Sequence, residues 1–429
     1  MAAMRLSLCI SLYAVVLTPV LCSTPARDKA IGPWSGGVTE DSAIVKALLT
    51  KGGSDAVLAL ESGLGRSVAA RTDDAGVVAF PLQGLKPNTV YKYTIKETGN
   101  NSLLEGAFRT FPINGKAASF QFAFGSCTVT GSTSTVFETI QATLPLFFIN
   151  TGDLHYEDIA VNDPKRFREA LTRVFSSPTQ SALFRSVPLV YIWDDHDYGP
   201  NDSDANAPGR SAARSVYQEF IPHYPLAAGS GDVPIYQSFQ VGRALFLITD
   251  LRSERTPASH PDGAEKSMMG KVQKDWFKRQ LLDAKKSSAV IFFVSSVPWI
   301  GQPSGGDSWS AYPTERAEIA NFVKEHGIKN LIILAGDAHM LAADDGSNSD
   351  YADGGGARIP VLHAGPLDRG YSLKGGPYSE GVYLAKKGEG CVGFVEVEDR
   401  REQGVTVIYS GRNLRGETKL RLTLNLPSQ

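Results

Sequence analysis

The chain has little cysteine, no excess of positive charge and, past its N-terminus, no long apolar run, and each shortage removes a class of protein. Only four cysteines occur in 429 residues. Cys9 and Cys22 fall in the N-terminal segment, so a scaffold stapled by several disulfides is excluded, and Cys127 and Cys391 remain for chemistry or for one bridge with each other. Lys and Arg number 43 against 45 Asp and Glu, a formal net charge of -2. The cations are dispersed rather than clustered, which argues against nucleic acid as a structural partner. No stretch after residue 26 is long and apolar enough to cross a bilayer, so no permanent membrane anchor is expected. Sequence repeats and low-complexity tracts are also missing, which excludes a repeat architecture.

What is present begins with a positively charged start, MAAMR, then the apolar run LSLCISLYAVVLTPVLC and the small polar stretch STPAR. That order predicts a signal peptide over residues 1–26 and a secreted protein, extracellular or periplasmic, that passes through the secretory pathway. Pro19 and the small residues Ser23, Thr24 and Ala26 suit cleavage better than a membrane anchor, and Leu21 is too bulky for a lipid-attachment signal before Cys22. Asn100-Asn101-Ser102 and Asn201-Asp202-Ser203 match the glycosylation sequon of a eukaryotic host.

A composition of 42% hydrophobic and 21% charged residues is that of a globular protein, and the length asks for two folded units. Residues 28–112 alternate short Val-, Leu- and Thr-rich runs with Gly, Asn and Asp turns, which predicts a small immunoglobulin- or fibronectin-like β-sandwich. Tyr91 follows a Leu-x-Pro-x-Thr bend, as in a tyrosine corner, and is assigned a structural role. Residues 116–427 have a different texture. Apolar strands end abruptly in Gly, Asp, His or Cys, and segments of helical period such as PKRFREALTRVF, GKVQKDWFKRQLLDAKK and TERAEIANFVKEHG separate them, so this unit is α/β with strands buried on both faces. SGGDSWS and SNSDYADGGGARIP are expected to be mobile loops over the strand ends.

In α/β folds the carboxyl ends of the strands line the binding crevice, so residues at successive strand ends converge. Here they are Cys127, then Asp153 and Tyr156, then Asp194, Asp195 and His196, then Asp250 and Arg252, and last Asp337 and His339. Nearly all are potential metal ligands, and a phenolate beside a carboxylate suits a trivalent, oxygen-seeking ion such as Fe3+.

The strings FAFGSC, INTGDLHYED, YIWDDHDYGPND, ITDLR, SSVPW and ILAGDAH, in that order over residues 120–340, resemble the PhoD-like alkaline phosphatase D family of the metallophosphatase superfamily, whose plan is shared by calcineurin-like and purple acid phosphatases. The resemblance implies a four-layer αββα catalytic sandwich behind the N-terminal β-sandwich. It implies metal-dependent hydrolysis of small phosphate esters, as an alkaline phosphatase or a phosphodiesterase, by a metal-activated hydroxide. Residue by residue, it implies Cys127, Asp153 and Tyr156 around Fe3+, with Asp153 bridging to a second ion. Asp194 and Asp195 stand where relatives have Gly-Asn, and Asp337 and His339 where they have the last two histidine ligands. Ca2+ is the implied companion; Mn2+, Mg2+ and Zn2+ are alternatives.

His196 matches the histidine that contacts the phosphate or leaving group, or else orients Asp195. Arg252 is expected to brace the phosphate, with neutralisation of Asp250 or Asp194 as the competing role. Asn201 is a possible additional metal ligand. Ser296 departs from the pattern, standing where a histidine ligand is usual, which shifts preference from zinc toward harder cations. The alternative function is a secreted binding module on a catalytically inactive fold, and the sequence is silent on oligomeric state.

Overall fold

The computed structural model describes residues 29–61, 67–99, 103–303 and 306–426. The expected signal peptide and the sequon at Asn100 lie outside them.

Alternation of buried and exposed residues, as in Asp55–Leu60 and Val90–Glu97, folds the N-terminal region into two antiparallel sheets. One holds Ile31–Gly36, Ala43–Leu48 and Val77–Leu82. The other holds Ser67–Arg71, Asp55–Leu60, Val90–Glu97 and Leu103–Arg109 in that spatial order. The Tyr91 hydroxyl accepts from the Lys86 backbone N–H at 2.8 Å, the tie of a tyrosine corner.

Behind it lie two larger mixed sheets. In the first, Leu189–Tyr191, Phe148–Asn150 and Phe120–Gly125 run parallel, and Cys391–Asp399, Val405–Asn413 and Thr418–Leu426 continue the sheet antiparallel. In the second, Ala244–Ile248, Val290–Ser295, Leu331–Ala335 and Val361–His363 form the parallel centre, with antiparallel strands at both edges. The two sheets pack face to face through Phe122, Phe147, Phe246 and Phe292, with edge-on ring contacts at 5.2–5.3 Å.

The period of two in the central strands separates two cores. Phe292, Val294, Ile332 and Leu334 belong to the core shared between the sheets. Ile291, Phe293, Leu331 and Ile333 turn the other way, onto Trp276, Phe277 and Leu281 of the helix Lys271–Ala284 and Ile319 and Val323 of the helix Pro313–Glu325. Helices Val136–Ala142, Pro164–Ser176, Pro178–Ser186 and Arg210–Phe220 contribute to the first core. The result is an αββα sandwich.

The loop around SNSDYADGGGARIP does not hang over the strand ends. It is pinned to the helix Pro313–Glu325, where Asp353 bonds Asn321 and Lys324, and Tyr351 stacks under the Arg316 guanidinium at 3.6 Å.

Candidate active site

Six strands deliver their C-terminal turns to one rim, and the backbone there is unusual. Cys127, Asp153 and Asp337, each just past a strand end, have φ of 66°, 54° and 62°. Left-handed geometry is costly for non-glycine residues and clusters where it aims a side chain. Gly152 makes the second of these turns possible: its φ is 113°, and a Cβ there would meet the Asp194 Cβ at 2.5 Å.

The side chains meet accordingly. Potential ligand atoms of Cys127, Asp153 and His339 lie within 4.8 Å of one another, as do those of Asp153, Asp195 and His196, those of Asp194, Asp307 and Asp337, and those of Asp195, Asp202 and Asp307. Tyr156 joins the first group, its hydroxyl donating to Asp153 Oδ2 at 2.7 Å and lying 3.2 Å from His339 Nε2. The Cys127 Sγ is 3.6 Å from the same Asp153 oxygen. His339 Nδ1 faces the Gly370 carbonyl at 2.5 Å, so that nitrogen is the donor and Nε2 is left as an acceptor toward the rim. Burial holds this imidazole neutral, at about 4.

Electrostatics set the cluster apart from a fold-stabilising network. Asp153, Asp194, Asp195 and Asp337 are 0–5% exposed. Burial, then the charges of Asp195 and Asp194, push Asp153 well above the ordinary carboxylate range. Burial also raises Asp194 well above that range against the opposing pull of Arg252, and raises Asp337 to about 6 against the pull of Lys374. The Cys127 thiol is raised by burial first and by Asp153 and Asp337 next.

Among the described residues Asp153 Oδ1, Asp194 Oδ2, Asp195 Oδ1 and Asp337 Oδ2 have no hydrogen-bond partner. Arg252 Nη2 stands 3.8 Å from Asp195 Oδ1, too far for a hydrogen bond. Buried carboxylate oxygens without hydrogen bonds are expensive unless a cation meets them, and a thiol, a phenol and an imidazole stand beside them. The donor set therefore fits metal ions.

Two sequence expectations change. The Arg252 guanidinium is spent on protein partners and does not open to the rim. It is fully buried; its Nε bonds Asp194 Oδ1 at 2.7 Å, and its other nitrogens grip Asp307 at 2.8 and 2.7 Å and the Ser203 carbonyl. The ion pair with Asp194 is one of the two pairings expected as its competing role. The Arg252 guanidinium does not meet Asp250; that carboxylate accepts from Trp193 Nε1, the backbone N–H groups of Ile235, Arg252 and Ser253 and the Ser253 hydroxyl, and so fixes the turn. Asn201 is exposed at the periphery, and its neighbour Asp202 is the residue whose carboxylate approaches Asp195 and Asp307. Ser296 donates to Asp194 Oδ1 at 2.7 Å in place of supplying an imidazole. Cys127 and Cys391 are free thiols, both buried, so no bridge joins them.

His196 stands at the mouth. Its Nδ1 meets Asp158 Oδ1 at 2.6 Å, its Nε2 is 4.0 Å from Asp195 Oδ2, and its ring lies 4.1 Å from that of Tyr156.

Sequence reasoning missed Asp307, Asp197 and Lys374. Asp307 is held at about 2 because Arg252 and Arg255 overcome the effect of its burial; its signal was a lone Asp in the SGGDSWS loop after a catalytic strand. Asp197 accepts the backbone N–H groups of His155 and Asp194 and locks two rim turns together. Lys374 bonds Asp337 from a loop 37 residues further on.

An αββα sandwich whose strand ends gather carboxylates, a thiol, a phenol and imidazoles defines the metallophosphatase class. Within it, residues 122–374, more than half of the chain, match the sequence model of the PhoD-like phosphatases, and the chain belongs to that family. Over 321 residues it is 28% identical to alkaline phosphatase D of Bacillus subtilis (strain 168), a match covering 62% of this chain and 54% of that protein. The chain thus spans about half the length of this curated relative. A solved structure of PhoD superposes with a TM-score of 0.70 at 18% identity, over 95% of this chain and 94% of that one. A purple acid phosphatase from yellow lupin (Lupinus luteus) seeds superposes with a TM-score of 0.63 at 12% identity, over 93% and 75%. These likenesses establish the shared fold. No described helix is long and apolar enough to cross a membrane.

Proposed function

We propose that the chain is a secreted, metal-dependent phosphoric ester hydrolase of the alkaline phosphatase or phosphodiesterase type. Residues 1–26 are its signal peptide, 28–112 its β-sandwich domain and 116–427 its catalytic domain. Cys127, Asp153, Tyr156 and His339 would hold Fe3+. Asp153, Asp194, Asp195 and Asp337 would hold Ca2+, with Asp307 and Asp202 at its outer side. When bound, such ions draw electron density from phosphoryl oxygens and lower the pKa of a bound water toward ~7.

The chain's own groups do the rest. Arg252 fixes Asp194 and Asp307 in place, and Tyr156 and Cys127 converge on one Asp153 oxygen. Asp158 accepts from His196 Nδ1, and with the ring doubly protonated its Nε2 would donate a hydrogen bond or a proton to the departing ester oxygen.

The observation that carries this reading is the set of four buried carboxylates, each with an oxygen that lacks a hydrogen bond, meeting at neighbouring strand ends in a member of this family. The test is hydrolysis of a chromogenic phosphate monoester and of the bis-ester of the same phenol, before and after chelation. At least one should be turned over, and activity should fall after chelation and return on adding metal back. Inert protein carrying its metals would contradict the reading.

A further inference from the structure

We propose that Arg369 is the residue that grips the phosphoryl oxygens of the substrate, which deepens the phosphatase reading and rests on it. A phosphate ester approaching six clustered aspartates needs donors as well as metals, and the cations of the site are not equally available. Arg252 is sealed, with its nitrogens committed to Asp194, Asp307 and Ser203. Lys374 is bonded to Asp337. Arg173, close to the His155 turn, is paired with Glu157. Arg369 differs: it is half-buried and makes no side-chain hydrogen bond or ion pair among the described residues. Its guanidinium carbon instead lies 3.9 Å over the centre of the Tyr156 ring.

The residues on either side of Arg369 are anchored to the site. Asp368 accepts the Val129 N–H at 2.6 Å, and its own N–H reaches the Cys127 carbonyl at 3.5 Å. Gly370 accepts from His339 Nδ1 at 2.5 Å, and the Ser372 N–H donates to the His339 carbonyl at 3.2 Å. The backbone of Arg369 is thus held between the Cys127 turn and His339, while its planar fork of N–H donors stays free and the phenol ring sets its plane. A stacked guanidinium with unused parallel donors matches the spacing of two phosphoryl oxygens, and a lysine ammonium does not.

The test compares wild type, Arg369→Gln and Arg369→Lys, each purified with its metals. The readouts are equilibrium binding of inorganic phosphate by calorimetry, KM for a chromogenic phosphate monoester, metal content and thermal midpoint. Arg369→Gln should weaken phosphate binding and raise KM about tenfold or more, with metal content and midpoint unchanged, and Arg369→Lys should recover only part of the loss. Unchanged phosphate affinity and KM in Arg369→Gln, beside an active wild type, would overturn the assignment alone. A wild type that neither binds inorganic phosphate nor hydrolyses the ester would overturn the phosphatase reading with it.

Discussion

At the scale of single residues the site is a balance of buried charge, and removing one partner should cost more than removing a surface pair. Arg252→Met keeps side-chain volume but leaves Asp194 and Asp307 facing each other without their shared cation. Breaking such a buried pair costs about 3–5 kcal/mol, so urea denaturation should show a loss of that size. A loss below about 1 kcal/mol, the range of exposed pairs, would mean that the guanidinium does not compensate these carboxylates. Away from the rim, His363 is fully buried, and burial holds its imidazole down at about 3. Its folded value lies below the unfolded one of ~6.5, so below that pH the unfolded chain binds a proton that the native chain refuses. Stability is therefore lost as pH falls from about 6.5 toward 3. Between pH 7 and pH 5 the wild type should lose about 2 kcal/mol more than His363→Gln. Parallel pH profiles for the two proteins would refute this.

At the scale of elements, strands aim the chemistry, and their end turns tolerate no added bulk. Gly336 precedes Asp337, and a Cβ there would collide with the Thr151 carbonyl oxygen and lie 2.8 Å from that of Ser296. Gly336→Ala must spread three strand ends, so it should cost about 1–3 kcal/mol of stability and weaken metal retention in chelator competition. Retention equal to wild type would show that the rim is more pliable than its packing implies. The strand ends were legible in the sequence because a strand leading to the rim is an apolar run with a polar stop, and all six such runs are strands. The tyrosine corner was legible for a similar reason, since one local bend specifies it. Asp307, Lys374 and Arg369 were not, because they reach the rim from irregular loops whose path no periodicity encodes. Arg252 was placed correctly past its strand end and Asp194 was named among its possible partners, but Asp307 was not foreseen, because that charge is 55 residues away in one such loop.

At the scale of the whole molecule the β-sandwich is seated on the αββα sandwich through specific contacts. Trp34 stacks on Phe175 at 4.1 Å and donates to the Phe220 carbonyl at 2.8 Å, and the Lys46 ammonium meets the carbonyls of Gln218, Glu219 and Ile221. Trp34→Ala should therefore destabilise the molecule by about 3–5 kcal/mol and lower its single thermal transition; a separate early transition with the main one unmoved would mean that the two parts unfold independently. What both parts support is one rim of metal-binding side chains, and the most direct measurement is metal content by elemental mass spectrometry of wild type and Asp153→Ala, purified side by side. Asp153 sits in two of the four ligand groups. The account predicts near-stoichiometric iron and a divalent ion in the wild type and loss of both in the variant, whereas a metal-free wild type, or equal metal in the two proteins, would contradict it.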